Sequence, residues 1–150
     1  MEHLFVGDLL RCFWRKGISD VAVLRSEVDD GGYDLVLEHS GVLRHIQLKS
    51  SYRGAKTRDV NINSALARKP SGCVVWMFFD QATLELGPFL WFGDEPGRPL
   101  PDLGDRVGKH TKGDKTGKKA VRPNIRVLEK ARFQKMDTID SIARSLFGAP

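Results

Sequence analysis

The chain has 150 residues, of which 41% are hydrophobic and 29% are charged, a composition typical of one soluble globular domain. No apolar run is long enough to span a bilayer, and the N-terminus carries Glu2 and Asp8, which argues against a signal peptide. We therefore expect a cytoplasmic protein whose single domain spans residues 1–150. The net charge of +5 is unevenly distributed, because residues 106–135 carry +9 and the remainder carries −4.

The first predicted element is an amphipathic helix from Glu2 to Lys16 that ends at Gly17. Its apolar side chains recur at helical spacing and are predicted to lie in the core: Leu4, Phe5, Leu9, Leu10, Phe13 and Trp14. The short apolar segment Val21–Leu24 is predicted to form the first strand.

An acidic run follows, without a basic residue inside it: Glu27, Asp29, Asp30, Asp34 and Glu38. Crowded carboxylates raise each other's proton affinity and favour a divalent cation that relieves the repulsion. The run therefore makes the region around Asp34 a candidate metal site.

A β-hairpin is predicted around the turn His39-Ser40-Gly41. Leu35 and Leu37 share one face of its first strand, and Ile46 and Leu48 share one face of its second strand. The opposite face is predicted to be polar.

This polar face carries the most informative residues of the chain. Gln47 and Lys49 project together because they are two positions apart, and hairpin pairing is expected to bring Asp34 close to them. Asp34 and Gln47 offer the oxygen ligands that magnesium prefers, and the ion takes its other ligands from water and phosphate. Lys49 is suited to neutralise charge on the phosphate or to orient the attacking water. We therefore expect Mg²⁺, or Mn²⁺, as the cofactor.

The order Asp34, a spacer of roughly a dozen residues, and then Gln47-Leu48-Lys49 resembles the active-site motif of the PD-(D/E)xK nuclease superfamily. The resemblance covers the first third of the chain well and the rest by order of elements. It implies an α/β restriction-endonuclease-like fold, with a mixed central β-sheet flanked by helices, and metal-dependent hydrolysis of DNA.

The sequence departs from this motif at two positions. Tyr33 stands where the motif has proline, and Gln47 stands where its commonest form has Glu or Asp. Because the glutamine removes a negative charge, another acid is expected to complete the metal shell. Members of the superfamily often supply it from the first helix, and here the candidates are Glu2 and Asp8.

Beyond the hairpin, basic residues that we expect to contact nucleic acid lie beside the proposed site: Arg53, Lys56 and Arg58. Asp59 or Asn61 is predicted to cap a helix that runs to Lys69. The apolar run Cys73–Phe79 is predicted to be the centre of the sheet.

The following strand, Leu84–Phe92, contains Gly87-Pro88, which indicates a bulge or an edge position. Cys73 and Cys12 are both predicted to be buried thiols.

The segment from Gly93 to Gly108 is predicted to be a long irregular connection, and a basic stretch continues it. The cations expected to lie along a phosphate backbone are Lys109, Lys112, Lys115, Lys118, Lys119 and Arg122. The same stretch is also compatible with a solvated flexible loop. A short strand at Asn124–Leu128 and a final helix capped by Asp137 or Thr138 and ended by Gly148 complete the prediction.

Three classes of function follow from these observations. The first is a magnesium-dependent DNA endonuclease that acts as a homodimer, with RNA as a possible partner. The second is a catalytically inactive nuclease-fold module that binds nucleic acid or serves as a subunit of a DNA-processing or defence complex. The third is an interaction protein whose basic loop meets an acidic partner.

Overall fold

The computed structural model describes residues 1–26, 31–113 and 115–148. Its helices are α1 (Glu2–Arg15) and α2 (Ile139–Phe147), with short 3₁₀ helices at Ser64–Arg68 and Lys130–Arg132. Its strands are β1 (Ala22–Arg25), β2 (Leu35–His39), β3 (Val42–Tyr52), β4 (Asp59–Asn63), β5 (Gly72–Phe79), β6 (Leu86–Gly93), β7 (Val107–Lys109), β8 (Val121–Glu129) and β9 (Gln134–Met136).

The strands form two sheets. The main sheet has the order β1-β2-β3-β5-β6-β9, in which β3 and β5 are parallel and the other neighbours are antiparallel. The second sheet has the order β4-β8-β7 and is antiparallel. The predicted mixed α/β fold with a central sheet and helices is confirmed.

Each face of the main sheet covers its own apolar core. The two helices pack on one face, where the core includes Phe5, Leu9, Phe13, Leu35, Ile46, Val75 and Ile142. The second sheet packs on the other face, where the core includes Ile62, Leu66, Val74, Trp76, Leu128 and Phe133. Strand β5 is buried on both faces from residue 72 to 78. This confirms the prediction that the apolar run forms the centre of the sheet.

The prediction that the whole apolar stripe of α1 is core was wrong at Leu4, Leu10 and Trp14. These three side chains are exposed, Trp14 to 73%. A helix that packs on one surface buries a stripe, and here Phe5, Leu9 and Phe13 form it. The helix ends at Arg15, and Gly17 follows with a φ of 76°, close to the predicted end.

The hairpin and the last helix are confirmed. The pairing of β2 with β3 runs from Leu35 opposite Ile46 to His39 opposite Val42. At the other end of the chain, the Thr138 side chain accepts a hydrogen bond from the Ser141 amide and so caps α2.

The predicted helix between Asp59 or Asn61 and Lys69 was wrong. The chain forms strand β4 and then the 3₁₀ helix Ser64–Arg68, whose cap is Asn63. The local sequence carries good helix formers after residue 64, but β4 exists because it pairs with β8, some sixty residues later in the chain.

Three predictions about the second half of the chain are also corrected. The irregular connection ends in β7, and β7 forms a hairpin with β8, which is longer than the predicted strand Asn124–Leu128. Strand β6 begins at Leu86 rather than Leu84 and is not an edge, because β9 pairs with it. The alternative prediction, a bulge at Gly87-Pro88, is confirmed, since Phe89 lies opposite Met77 and Leu86 lies opposite Phe79, so that Gly87 and Pro88 together face the single residue Phe78.

Both cysteines are buried free thiols, as predicted. Burial raises the pKa of Cys73 to about 12. No helix among the described residues is long and apolar enough to cross a membrane.

Candidate active site

Asp34 stands directly before β2 and contacts the middle of β3. Its Oδ2 atom accepts a hydrogen bond from the Leu48 amide at 2.6 Å, and its own amide donates to the Ile46 carbonyl at 2.9 Å. Because Leu48 lies between Gln47 and Lys49, the Asp34 carboxylate is placed at the segment that carries both side chains.

Gln47 is held by the second sheet. Its side chain is buried, with 7% exposed, and its Oε1 atom accepts a hydrogen bond from the Asn63 amide at 3.3 Å. Asn63 is fixed in turn, because its own side chain caps the following 3₁₀ helix through the Ala65 amide. A carbonyl oxygen has two acceptor sites, so one hydrogen bond leaves Oε1 able to ligate a cation.

Lys49 lies two positions after Gln47 in β3, so the two side chains leave the strand on the same face. The side chain is half-buried, and its Cα neighbour in the parallel strand β5 is Trp76. The structure therefore brings Asp34, Gln47 and Lys49 together at one place on the main sheet.

Gly32 allows the turn before Asp34 to pack closely against Asn63 and Leu66. Its φ is 72°, and a Cβ atom there would lie 2.8 Å from the Leu66 amide nitrogen and 3.2 Å from Asn63 Cβ. Backbone and side-chain carbon at such distances leave no room for a methyl group. The turn before Asp34 thus packs directly on the segment that positions Gln47.

An aromatic and basic wall borders the site. The rings of Tyr33 and His45 meet edge to face with centroids 5.0 Å apart, and the ammonium of Lys69 lies 5.3 Å from the Tyr33 ring centroid. The His45 Nδ1 atom donates a hydrogen bond to the Pro70 carbonyl at 2.8 Å. Tyr33, which stands at the proline position of the motif, is therefore part of a packed wall.

The two acids predicted to complete the metal shell have other contacts. Asp8 pairs with Arg11 at 3.0 Å and lines a cleft between α1 and α2, on the helix face of the sheet. The Glu2 carboxylate pairs with Arg25 at 3.1 Å. Asp8 is not brought to Asp34, because α1 packs on the face of the sheet opposite Gln47.

The described residues contain no group of three or more His, Cys, Asp or Glu arranged to hold a metal ion. Glu27, Asp29 and Asp30 of the acidic run lie outside the described residues. The oxygen donors at the site are the Asp34 carboxylate and the Gln47 amide oxygen. Such a set fits Mg²⁺, which keeps several waters and takes further ligands from substrate phosphates.

The predicted nucleic-acid contacts differ in their surroundings. Arg53 is held in place by a hydrogen bond from Nε to the Gly87 carbonyl at 2.7 Å and by an ion pair with Glu85 at 3.4 Å. Lys56 and Arg58 are exposed in the connection between β3 and β4. The cations of the basic stretch are exposed on the hairpin of β7 and β8: Lys109, Lys112, Lys115, Lys118, Lys119 and Arg122.

The hairpin of β7 and β8 belongs to the second sheet, which packs on the same face of the main sheet as Gln47. Its loop encloses a surface cleft of about 510 Å³, lined by His110, Lys112, Lys118 and Lys119 among others. The basic hairpin and the candidate site are thus on one side of the molecule.

Sequence reasoning missed Asn63 and the Tyr33–His45 wall. Asn63 carries no local signal of its role, since its position depends on the pairing of β4 with a distant strand. His45 did share a strand face with Gln47, and that spacing was the available signal for it.

No family model matches the chain, and no curated protein matches it. Among solved structures, the chain is similar to the bacterial homing endonuclease I-Ssp6803I, with 19% identity over 78% of this chain and 82% of that chain and a TM-score of 0.34. A TM-score of this size is too low to support a conclusion about activity.

Proposed function

We propose that the protein is a metal-dependent nuclease of the restriction-endonuclease-like kind that hydrolyses DNA phosphodiester bonds. The observation that supports this most is the contact of the Asp34 carboxylate with the Leu48 amide, between Gln47 and Lys49. It joins the three positions of the motif at one site, although twelve residues separate Asp34 from Gln47.

Each residue of the site would have a role that follows from the chemistry of its side chain. Asp34 and Gln47 would hold Mg²⁺ or Mn²⁺, and the bound ion would polarise the phosphate and lower the pKa of the attacking water. Lys49 would stabilise the negative charge that develops on the phosphate. The Asn63 amide would keep the Gln47 oxygen in place.

The cations on the hairpin of β7 and β8 would contact phosphates and position the nucleic acid without reading its sequence. One site of this kind cuts one strand, so cleavage of a duplex would use two copies of the chain.

The test is a titration of Mg²⁺ or Mn²⁺ into the protein with end-labelled duplex and single-stranded DNA and RNA. We expect cleavage of DNA that requires the cation, loss of cleavage in Asp34→Asn, and normal cleavage in the matched variant Asp8→Asn. Cleavage in excess chelator, or equal activity of Asp34→Asn and the wild type, would contradict the proposal.

A second candidate is a nucleic-acid-binding module without catalysis. It is favoured by the neutral side chain of Gln47 and by the engagement of Glu2 with Arg25, which leave Asp34 as the carboxylate placed at the site among the described residues. Binding of DNA in the same titration, with no cleavage at any cation concentration, would support this candidate.

A further inference from the structure

A pocket of about 480 Å³ lies beyond the end of β3, away from the Asp34 contact. Its apolar lining includes Phe78, Pro88 and Leu90, and its basic lining consists of Arg53, Lys130 and Lys135. The two basic residues outside the β3 end come from the 3₁₀ helix Lys130–Arg132 and from strand β9.

The pocket is on the same face of the main sheet as the candidate site. Phe78 and Leu90 belong to the core beneath the second sheet, and Lys135 is the Cα partner of Leu90 in the pairing of β6 with β9. Arg53 follows Lys49 by four residues, a separation of about 13 Å along an extended strand. One nucleic-acid strand is long enough to reach both places.

The charges of the pocket are not balanced by its own lining. Arg53 pairs with Glu85 and Asp80, and Lys135 pairs with Asp137, but no carboxylate of the described residues lines the pocket itself. Lys130 forms no ion pair within the part of the chain that the structure describes, and its ammonium lies 4.7 Å from the Phe78 ring centroid. An anion entering the pocket would therefore meet a cation that forms no ion pair with an acid of these residues.

An apolar floor beneath a basic rim fits a ligand with a flat apolar body and an attached anion. A nucleotide has this form, and the volume is within the range of small-ligand pockets. A base in a perfect duplex is stacked on both faces and paired, so it cannot enter such a pocket without leaving the helix.

We propose that the pocket binds one unpaired nucleotide of the nucleic acid, with the base on Pro88 and Leu90 and the phosphate beside Lys130 and Lys135. This inference rests on the proposed function only in taking nucleic acid as the partner. It narrows the substrate class to nucleic acid with an unpaired base, such as a bulge, a flap or a single strand.

Binding in the presence of chelator tests the pocket apart from cleavage. Fluorescence anisotropy would compare three labelled DNA duplexes of equal length: one fully paired, one with a single-nucleotide bulge, and one with an abasic bulge. Since packing one base on Pro88 and Leu90 would remove roughly 60 Å² of apolar surface from water, the wild type should bind the bulged duplex about tenfold more tightly than the paired one. The abasic bulge should lose this gain.

Two double variants complete the experiment. Lys130→Ala with Lys135→Ala should remove the preference for the bulge, and both side chains are exposed, so the fold should be kept. The matched control, Lys118→Ala with Lys119→Ala in the hairpin loop, should weaken all three duplexes alike and keep the preference.

Equal affinity of the wild type for the three duplexes would overturn the inference, as would a bulge preference that survives the Lys130 and Lys135 substitutions. Failure of the proposed function looks different. A preserved bulge preference without cleavage in any cation would contradict the nuclease and leave the pocket. No binding to any duplex in chelator would overturn the pocket, and the cation titration would then decide the nuclease separately.

Discussion

Gln47 is the residue at which this site departs most from the common nuclease motif. Its amide oxygen accepts a hydrogen bond from Asn63, and a glutamate carboxylate would accept the same bond. The substitution Gln47→Glu therefore adds a charge to the proposed metal site while keeping the contact that positions the side chain.

We predict that Gln47→Glu binds Mn²⁺ more tightly than the wild type and keeps or raises cleavage, because hard cations gain affinity from each added carboxylate. Isothermal titration calorimetry measures the affinity. The matched control is Gln134→Glu at an exposed position of strand β9, which should leave the affinity unchanged. Weaker metal binding by Gln47→Glu would count against a metal site at this place.

Lys49 is predicted to act on charge that develops in the transition state. Lys49→Ala should lower kcat by about 100-fold and leave KM nearly unchanged, as expected when one group that stabilises such charge is removed. The contrasting variant is Lys119→Ala in the hairpin loop, which should raise KM and leave kcat alone. A Lys49→Ala enzyme with normal turnover would remove Lys49 from the chemistry.

The buried thiol of Cys73 is expected to make the stability of the fold depend on pH. Its pKa is raised from 9.0 to about 12 because burial disfavours the thiolate. The folded protein holds this proton more tightly than the unfolded chain, so the contribution to stability is complete below pH 9 and is lost as the pH rises toward 12.

We therefore predict that the melting temperature of the wild type falls more steeply above pH 9 than that of Cys73→Ala. The variant should be less stable at neutral pH, because the substitution leaves a small cavity. Thermal unfolding followed by circular dichroism across this range measures both effects. Parallel curves for the two proteins would show that Cys73 does not titrate with folding.

Among the elements, those with local signals were predicted correctly. Helix α1 follows from its periodicity, the hairpin of β2 and β3 from alternation around Ser40-Gly41, and α2 from its cap at Thr138. The placement of Asp34 near Gln47 and Lys49 followed from the same hairpin.

The elements that sequence reasoning missed depend on distant partners. Strand β4 pairs with β8, and strand β9 pairs with β6. Because these strands are stabilised by distant partners, their own few residues carry no strong sequence pattern that predicts a strand. The contact from Asn63 to Gln47 was missed for this reason. The exposed Trp14 was misassigned because periodicity alone does not say how wide a stripe the sheet will cover.

A substitution at Gly32 tests the packing of the turn before β2 against the 3₁₀ helix Ser64–Arg68. Gly32→Ala should lower the free energy of unfolding by about 1–3 kcal/mol, since it adds a methyl group at a positive φ against the Leu66 amide. The control is Gly7→Ala, where a Cβ atom meets nothing within 4 Å in the middle of α1, and which should stabilise by about 0.5–1 kcal/mol. Urea unfolding measures both, and equal stability of Gly32→Ala and the wild type would contradict the close packing at this turn.

At the scale of the whole molecule, the positive charge is concentrated on the hairpin of β7 and β8. Replacing Lys115, Lys118 and Lys119 by alanine together should weaken binding to all DNA sequences alike. The dependence of log K on log salt should flatten by about 0.9 for each phosphate that the variant no longer neutralises. Filter binding at several salt concentrations measures the slope. An unchanged slope would move the expected phosphate contacts to Arg53, Lys56 and Arg58.

The pairing of β4 with β8 also determines when the candidate site can form during synthesis of the chain. A ribosome completes β1 to β6 of the main sheet before it has made β8, which begins at Val121. Until then β4 lacks its neighbour in the second sheet, and Asn63 cannot be held where it supports Gln47. The candidate site is therefore assembled only after β8 has been made, so a nascent chain that ends before Val121 lacks the strand that holds Asn63 beside Gln47.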